Sequence, residues 1–339
     1  MKLNYPIIVA ELSGNHNGSI DKAFDLIRIA RECGADAIKF QTYTADTMTI
    51  KVDRPEFVIT EESSLWNGRD LYSLYEIAST PWEWHPALFD YARKIGIEPF
   101  STPFDITAVE FLQTLGAKRY KIASFEITYL ELIAKAAQTG KPLIISTGMA
   151  TIEEISEAVE TARGNGCKDL TLLKCTSAYP SDAKFAHLNS IADLRERFNC
   201  PVGLSDHTLG VAVALSAVAL GASMIEKHIT FDHNDGGVDS KFSLSPSELA
   251  RLVQESKQVA DSLGEISYGV SELEKSSLRF RRSLIIVKDV QPGELVSREN
   301  TGILRPGHGL APKYLGQLLG KKFKVKLDKG DALALDHVE

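Results

Sequence analysis

The sequence predicts an α/β protein: a closed (β/α)8 TIM barrel followed by a small β-rich domain. Three observations carry that expectation. Eight short apolar, β-branched runs recur ahead of residue 265. Stretches of helical periodicity separate most of them, and parallel strands need such crossovers. A glycine ends most of those stretches just before the next run, where a helix stops in a left-handed residue. Eight runs favour a closed barrel over an open doubly wound sheet, and no G-x-G-x-x-G follows the first of them.

The elements follow in order. PIIVAEL (6–12) leads to SIDKAFDLIRIARECG (19–34), whose Ala23, Leu26, Ile27 and Ala30 share one helical face. DAIKFQT (36–42) precedes a long insertion over 43–85, with SSLWNGRDLYSLYEIASTPWEWH at its end. Long loops are functional or disordered, and the aromatic content predicts an ordered lid or wall. IEPFSTP (97–103), RYKIAS (119–124), PLIISTG (142–148) and LTLLKCT (170–176) come next. TIEEISEAVETARGNG (151–166) opens on a capping box of Thr151 and Glu154. PVGLSDH (201–207) and MIEKHIT (224–230) complete the eight. The last long helix, SPSELARLVQESKQVADSLG (245–264), has Ser245 as N-cap, Pro246 first and Glu248 three residues after the cap. Gly34, Gly96, Gly116, Gly140, Gly166 and Gly221 stand at the helix stops.

The barrel is expected over 1–265 and a linker over 266–282. Short β runs and tight turns fill 283–339, a domain small enough to be marginal alone. A net charge of −7 argues against nucleic acid or an anionic membrane as the main partner. No apolar stretch reaches the roughly 18 residues of a membrane span. The N-terminus lacks a secretory pattern, and four scattered cysteines without C-x-x-C read as reduced thiols. A cytoplasmic protein is the expectation.

In such a barrel the site forms at the C-terminal strand ends. Those ends carry Glu11; Lys39 with Gln41; Ser101 and Thr102; Lys121 with Ser124; Ser146 with Thr147; Cys175 with Thr176; Ser205, Asp206 and His207; and Glu226 with His228. Buried polar groups are costly unless paired, so eight convergent sets point to a site. Within MIEKHIT, strand alternation sends Glu226 and His228 to one face and Lys227 to the other. A lone histidine is usually a core or surface residue, but His207 and His228 close two neighbouring strands. Two histidines are too few for structural zinc and suit Mn²⁺, Mg²⁺ or Zn²⁺ with open positions. Lysines and hydroxyls suit a phosphate plus a carboxylate. The residues point to metal-assisted chemistry on a phosphorylated small molecule.

The motifs AELSGNHNGS (10–19), IKFQT (38–42), FSTPFD (100–105), YKIASFE (120–126), ISTGMA (145–150), LLKCTSAYP (172–180), GLSDHTLG (203–210) and IEKHIT (225–230) together resemble the sialic acid (nonulosonic acid) synthase family. RSLIIVKDVQPGELVSRENTGILRPGHGL resembles the start of that family's antifreeze-like (SAF) domain. The resemblance covers nearly the whole chain. It implies condensation of phosphoenolpyruvate with an N-acetylated amino sugar and water, with loss of phosphate by C–O cleavage. It implies phosphoenolpyruvate on Lys39, Thr102, Lys121, Ser124, Ser146 and Ser205. The sugar would meet Gln41, Ser177, Tyr179, Glu226 and Asp239, and a divalent metal, Mn²⁺ or Mg²⁺, would sit on His207 and His228. Arg305 would reach an N-acyl group across a domain-swapped homodimer. Glu11, Lys39, Lys121 and Asp239 are the implied catalytic groups, with Glu11 first for handling a proton.

SLWNGRDLYSLYEIASTPWEWH resembles the pseudaminic acid synthase branch, whose sugar is 2,4-diacetamido-2,4,6-trideoxy-L-altrose. Ser177 stands where sialic acid synthases commonly carry asparagine. Val238 replaces a frequent proline before Asp239. Sialic and legionaminic acid synthesis are the nearest alternatives. A Schiff-base aldolase using Lys121 or Lys39, a metal-dependent isomerase or hydrolase, and a carbohydrate- or ice-binding protein are more distant ones.

Overall fold

The computed structural model describes residues 5–62 and 64–339. The chain separates into two compact units, Met1–Gly264 and Glu265–Glu339. In the first, eight parallel strands close into a barrel, with the first and last paired. They are β1 (Ile7–Glu11), β2 (Ala37–Thr42), β3 (Glu98–Pro103), β4 (Tyr120–Ile122), β5 (Leu143–Ser146), β6 (Leu170–Cys175), β7 (Val202–Ser205) and β8 (Met224–His228). Every one lies inside an expected run.

Alternation along each strand builds two cores. Ile8 and Ala10 of β1 join Ala23, Leu26, Ile27 and Ala30 of the helix Ile20–Glu32 in the layer between barrel and helices. Inside the barrel, Val9, Ala37, Phe100, Ile144, Leu173 and Met224 pack into a second cluster. Two residues further along the same inward face come Glu11, Lys39, Thr102, Ser146, Cys175 and Glu226. The interior is therefore apolar below and polar above. Gly203 sits where the barrel wall is tightest: a Cβ there would come 2.3 Å from the Met224 carbonyl, so no side chain fits.

Thr151 and Ser245 cap their helices as expected, both through complete capping boxes, and Ser19 caps the first helix by accepting the Lys22 N–H. All six helix-stop glycines have positive φ, Gly34 at 89° among them. The insertion is ordered through the helices Ala45–Met48 and Leu71–Ala78 and two short 3₁₀ turns. Two buried histidines pin it to the barrel. The His16 Nδ1 accepts the Gly18 N–H at 3.0 Å, so its Nε2 carries the proton facing Thr80 Oγ1 at 3.2 Å. The His85 Nδ1 faces the Pro81 carbonyl at 3.2 Å, while its Nε2 accepts from Thr42, which meets Ser101 at 2.7 Å. Both rings are held neutral. Burial, with some repulsion from His85, pushes His16 down to about 4. Burial likewise outweighs the carbonyl contacts of His85 and pushes it down to about 4.

The second unit holds β9 (Ser283–Ile286) paired antiparallel with β10 (Thr301–Leu304). Leu284, Ile286, Val290, Val296, Leu318, Phe323, Leu327 and Leu333 form its core. The segment expected as a linker contains a nine-residue 3₁₀ helix, Glu272–Phe280, capped by Ser271 and Glu274.

Candidate active site

The polar layer at the barrel mouth is built around two buried lysines. The Lys39 ammonium lies 2.5 Å from Glu11 Oε2 and 3.8 Å from Glu226 Oε1, and donates to Thr102 Oγ1 at 3.0 Å. Lys121 donates to Glu226 Oε1 at 3.4 Å, and Ser205 donates to the same oxygen at 3.0 Å. Burial alone would weaken the Lys39 ammonium, but Glu11 and Glu226 outweigh it and hold its pKa above the ordinary lysine value. Lys121 ends below that value, because burial and the neighbouring Lys39 charge exceed the pull of Glu226. Burial would raise the Glu226 carboxyl; Lys121 and Lys39 instead drive it well below its ordinary range.

A second feature stands beside Lys121. The Gly148 N–H donates to Ser124 Oγ at 3.1 Å. A Cβ on Gly148 would come 2.3 Å from Ser177 Oγ and 2.7 Å from Ser124 Oγ, so only glycine leaves this nook open. The buried Ser146 Oγ and Glu226 Oε2 have no hydrogen-bond partner among the described residues. Hydroxyls, a backbone turn and two ammonium groups together suit a small polyanion.

Above this layer opens a cavity of about 390 Å³. Gln41, Tyr179, His228 and Asp239 line it, with Tyr43, Trp66, Tyr75, Phe104 and Phe125 as its aromatic wall. The insertion supplies Tyr43, Trp66 and Tyr75. The Trp66 Nε1 donates to the Val238 carbonyl at 3.0 Å, and its ring meets that of Tyr179 at 5.7 Å. Asp239 is placed by Ser13, whose hydroxyl donates to Oδ2, and by Asn15 Oδ1, which accepts its N–H at 3.1 Å. Ser13 holds a left-handed φ of 50°, a conformation rarely adopted by a serine and concentrated at functional sites.

The His228 ring lines this cavity, and the His207 ring stands beside it with centroids 5.5 Å apart. The His207 Nδ1 lies 3.0 Å from the Thr176 carbonyl, which requires a proton on Nδ1 and leaves the lone pair on Nε2. The His228 Nδ1 has no hydrogen-bond partner and stands 3.4 Å from Asp239 Oδ2. These donors fit a divalent ion bound by two imidazoles with open positions; no preformed cluster of three or more ligands exists among the described residues.

The barrel residues expected from the sequence thus gather at one mouth, with two refinements. Glu226 is held by Ser205 and the lysines, one layer below the aromatic cavity, and Ser177 faces the Gly148 nook. Arg305 follows β10 in the second unit and is exposed. Glu126 escaped the sequence reading. It lines the cavity, and burial pushes its carboxyl up to about 7 despite Lys121, with Oε2 lacking a partner. Its signal was the end of YKIASFE, one 3₁₀ turn beyond β4. Cys175 was read only as a polar strand end. Burial would raise its thiol, yet His207, Ser124 and Lys121 lower it to about 7. A larger hollow of about 610 Å³ lies at the opposite strand ends, among Tyr5, Pro142, Pro201 and Ala222. It is mostly apolar, and its Arg119 is committed to Glu98 at 2.6 and 3.2 Å.

Residues 26–268 match the NeuB family and residues 281–339 match the SAF domain. The chain is 44% identical over 326 residues to a pseudaminic acid synthase of Campylobacter jejuni, covering 96% of this chain and 94% of that one. It is 43% identical over 339 residues to a pseudaminic acid synthase of Helicobacter pylori, covering 99% of both. Among solved structures, an N-acetylneuraminic acid synthetase from Leptospira borgpetersenii in complex with citrate superposes with a TM-score of 0.71 at 32% identity, covering 82% of this chain and 92% of that one.

Proposed function

The chain belongs to the NeuB family, and from that premise we propose that it condenses phosphoenolpyruvate with 2,4-diacetamido-2,4,6-trideoxy-L-altrose and water, the reaction of a pseudaminic acid synthase. One observation carries the reading. A two-lysine, hydroxyl-lined cradle lies directly beneath a cavity walled by Tyr43, Trp66, Tyr75, Phe104 and Phe125. The cradle suits the phosphate and carboxylate of phosphoenolpyruvate. The wall suits a sugar that carries a second acetamido group at C4 and a methyl at C6, where N-acetylmannosamine carries hydroxyls.

The residues then act as follows. Lys39, Lys121 and Ser205 hold the anionic groups, with Ser124, Ser146 and Gly148 around the phosphate. Gln41, Tyr179 and Asp239 orient the open-chain sugar so that its aldehyde carbon faces C3 of phosphoenolpyruvate. That carbon–carbon bond forms as the aldehyde oxygen takes up a proton and becomes a hydroxyl, water adds at C2, and the C–O bond to phosphate breaks as the C2 hydroxyl gives up its proton to leave the keto group. Glu11 accepts the proton of the water, and Lys39 beside it steadies the carboxylate. Asp239 serves the sugar hydroxyls. A divalent ion, Mn²⁺ or Mg²⁺, held by His207 and His228 would supply Lewis-acid polarisation of the sugar carbonyl.

We further propose a cytoplasmic homodimer. Ile266, Tyr268 and Leu273 are each more than nine-tenths exposed, an apolar surface that a second copy would cover, and Arg305 would then reach that copy's sugar. The four cysteines are unpaired, and no described helix is long and apolar enough to cross a membrane.

The test offers the trideoxy-altrose, the legionaminic precursor and N-acetylmannosamine in parallel and measures phosphate release. The altrose is expected to turn over fastest. Preference for N-acetylmannosamine would overturn the sugar assignment alone. Substrate-dependent trapping of Lys39 or Lys121 by borohydride would replace the whole mechanism with Schiff-base chemistry.

A further inference from the structure

Lys227 lies on β8 between Glu226 and His228, yet its side chain leaves the barrel interior. It is 1% exposed. Its ammonium donates to Asp206 Oδ2 at 2.9 Å, the Thr208 carbonyl at 2.6 Å and the Gly210 carbonyl at 2.9 Å. Three donors thus meet three acceptors, and the ammonium is fully used. Two of those acceptors belong to the residues on either side of His207.

The segment after β7 has other anchors too: the Asp206 N–H donates to the Glu226 carbonyl at 3.0 Å, and the His207 ring meets the Thr176 carbonyl at 3.0 Å. Asp206 Oδ1 accepts the Thr208 N–H at 3.0 Å, closing a small turn over His207, and the His207 carbonyl accepts the Ser181 N–H at 2.9 Å. The Asp206 carboxylate is therefore shared between that turn and Lys227. β8 carries His228 on its own backbone and grips the His207 loop through the preceding residue, Lys227. A buried ion pair is often no more stabilising than an apolar pair of similar volume, so stability alone does not explain this one.

We propose that Lys227 is a positioning residue that sets the spacing of His207 and His228, and with it the affinity for a divalent cation. It touches neither substrate nor ion. The inference rests on the metal reading of the two histidines.

The test measures Mn²⁺ affinity of the full chain by calorimetry, with thermal melting as the check on folding. Lys227→Met leaves Asp206 buried and unpaired, so the deciding variant is Lys227→Met with Asp206→Asn, which removes both charges and keeps an acceptor for the Thr208 N–H. The expected result is Mn²⁺ affinity weakened by about 10–100-fold in the double variant, the range seen when groups orienting metal ligands are lost. Phosphoenolpyruvate affinity without metal should stay within about twofold, because the lysine cradle is unaltered, a split that general loosening would not give. Wild-type Mn²⁺ affinity in a folded double variant overturns the inference. So does failure of both variants to fold, which would make Lys227 a folding residue. Absence of Mn²⁺ and Mg²⁺ binding by the unaltered protein would instead remove the metal reading, and this inference with it.

Discussion

The Glu11 carboxylate and the Lys39 ammonium face each other at 2.5 Å across directly paired positions of β1 and β2. Both are buried, and their charges answer each other where water is scarce. A carboxylate so placed can take a proton during reaction while the ammonium keeps the cradle charged. Glu11→Gln retains shape and removes the base. Turnover should fall by about 10²–10⁴-fold with little change in phosphoenolpyruvate affinity. Near-full phosphate release from the folded variant would take Glu11 out of the mechanism.

Lys121 differs from Lys39 in lacking a carboxylate of its own; it shares Glu226 with Lys39 and Ser205. An incoming anion therefore gains more from Lys121. Lys121→Met should raise the KM for phosphoenolpyruvate at least about tenfold, as expected for loss of a charge-assisted contact. Steady-state kinetics with the sugar saturating measures this, and an unchanged KM would assign the phosphate elsewhere.

Trp66 holds the Val238 carbonyl through its indole N–H, one residue before Asp239. Trp66→Phe keeps an aromatic wall and removes only that donor. The KM for the sugar should rise several-fold, in line with the roughly 0.5–1.5 kcal/mol of a single hydrogen bond, while the KM for phosphoenolpyruvate stays unchanged.

His16 and His85 are neutral in the folded protein, with pKa values of about 4 against about 6.5 unfolded. Between those values the unfolded chain binds more protons, so stability rises with pH. It is fully present above pH 6.5 and is lost as pH falls toward 4, by a few kcal/mol for the pair. Denaturant titrations from pH 7 to 4 should show this slope, and His85→Asn should flatten it by about half. An equal slope in the variant would clear His85.

Glu126 behaves oppositely. Its folded pKa is raised to about 7, so between pH 4.5 and 7 the folded protein holds the proton that the unfolded chain gives up. Stability falls across that window as pH rises. Glu126→Gln should stabilise the protein at pH 8 by about 1–2 kcal/mol, less than the full shift because water reaches the cavity, and leave it unchanged at pH 4. Melting curves at the two pH values decide it.

The barrel was readable because its grammar is local. A period of two, a capping serine or threonine and a glycine stop lie within a few residues of each other, as around Ser245 and Gly34. The strand-end residues were readable for the same reason, since inward positions repeat every second residue. The pairing among them was not. Glu226 meets Lys121 across 105 positions of sequence and Trp66 meets Val238 across 172, and no periodicity encodes such contacts. Glu126 stayed hidden because β4 is only three residues long and the chain turns at once into a 3₁₀ helix, where the two-residue rhythm stops.

Val9, Phe100, Ile144, Leu173 and Met224 close the barrel beneath the lysines. The chamber is thus closed at its base, and whatever lies deepest must enter first. The lysine cradle sits below the aromatic cavity, so a sugar already lodged there would block the approach of phosphoenolpyruvate. Binding order follows from architecture: phosphoenolpyruvate leads, the sugar follows, and the nine-carbon product clears the passage before phosphate departs. Product inhibition patterns would then show phosphate competing with phosphoenolpyruvate and not with the sugar.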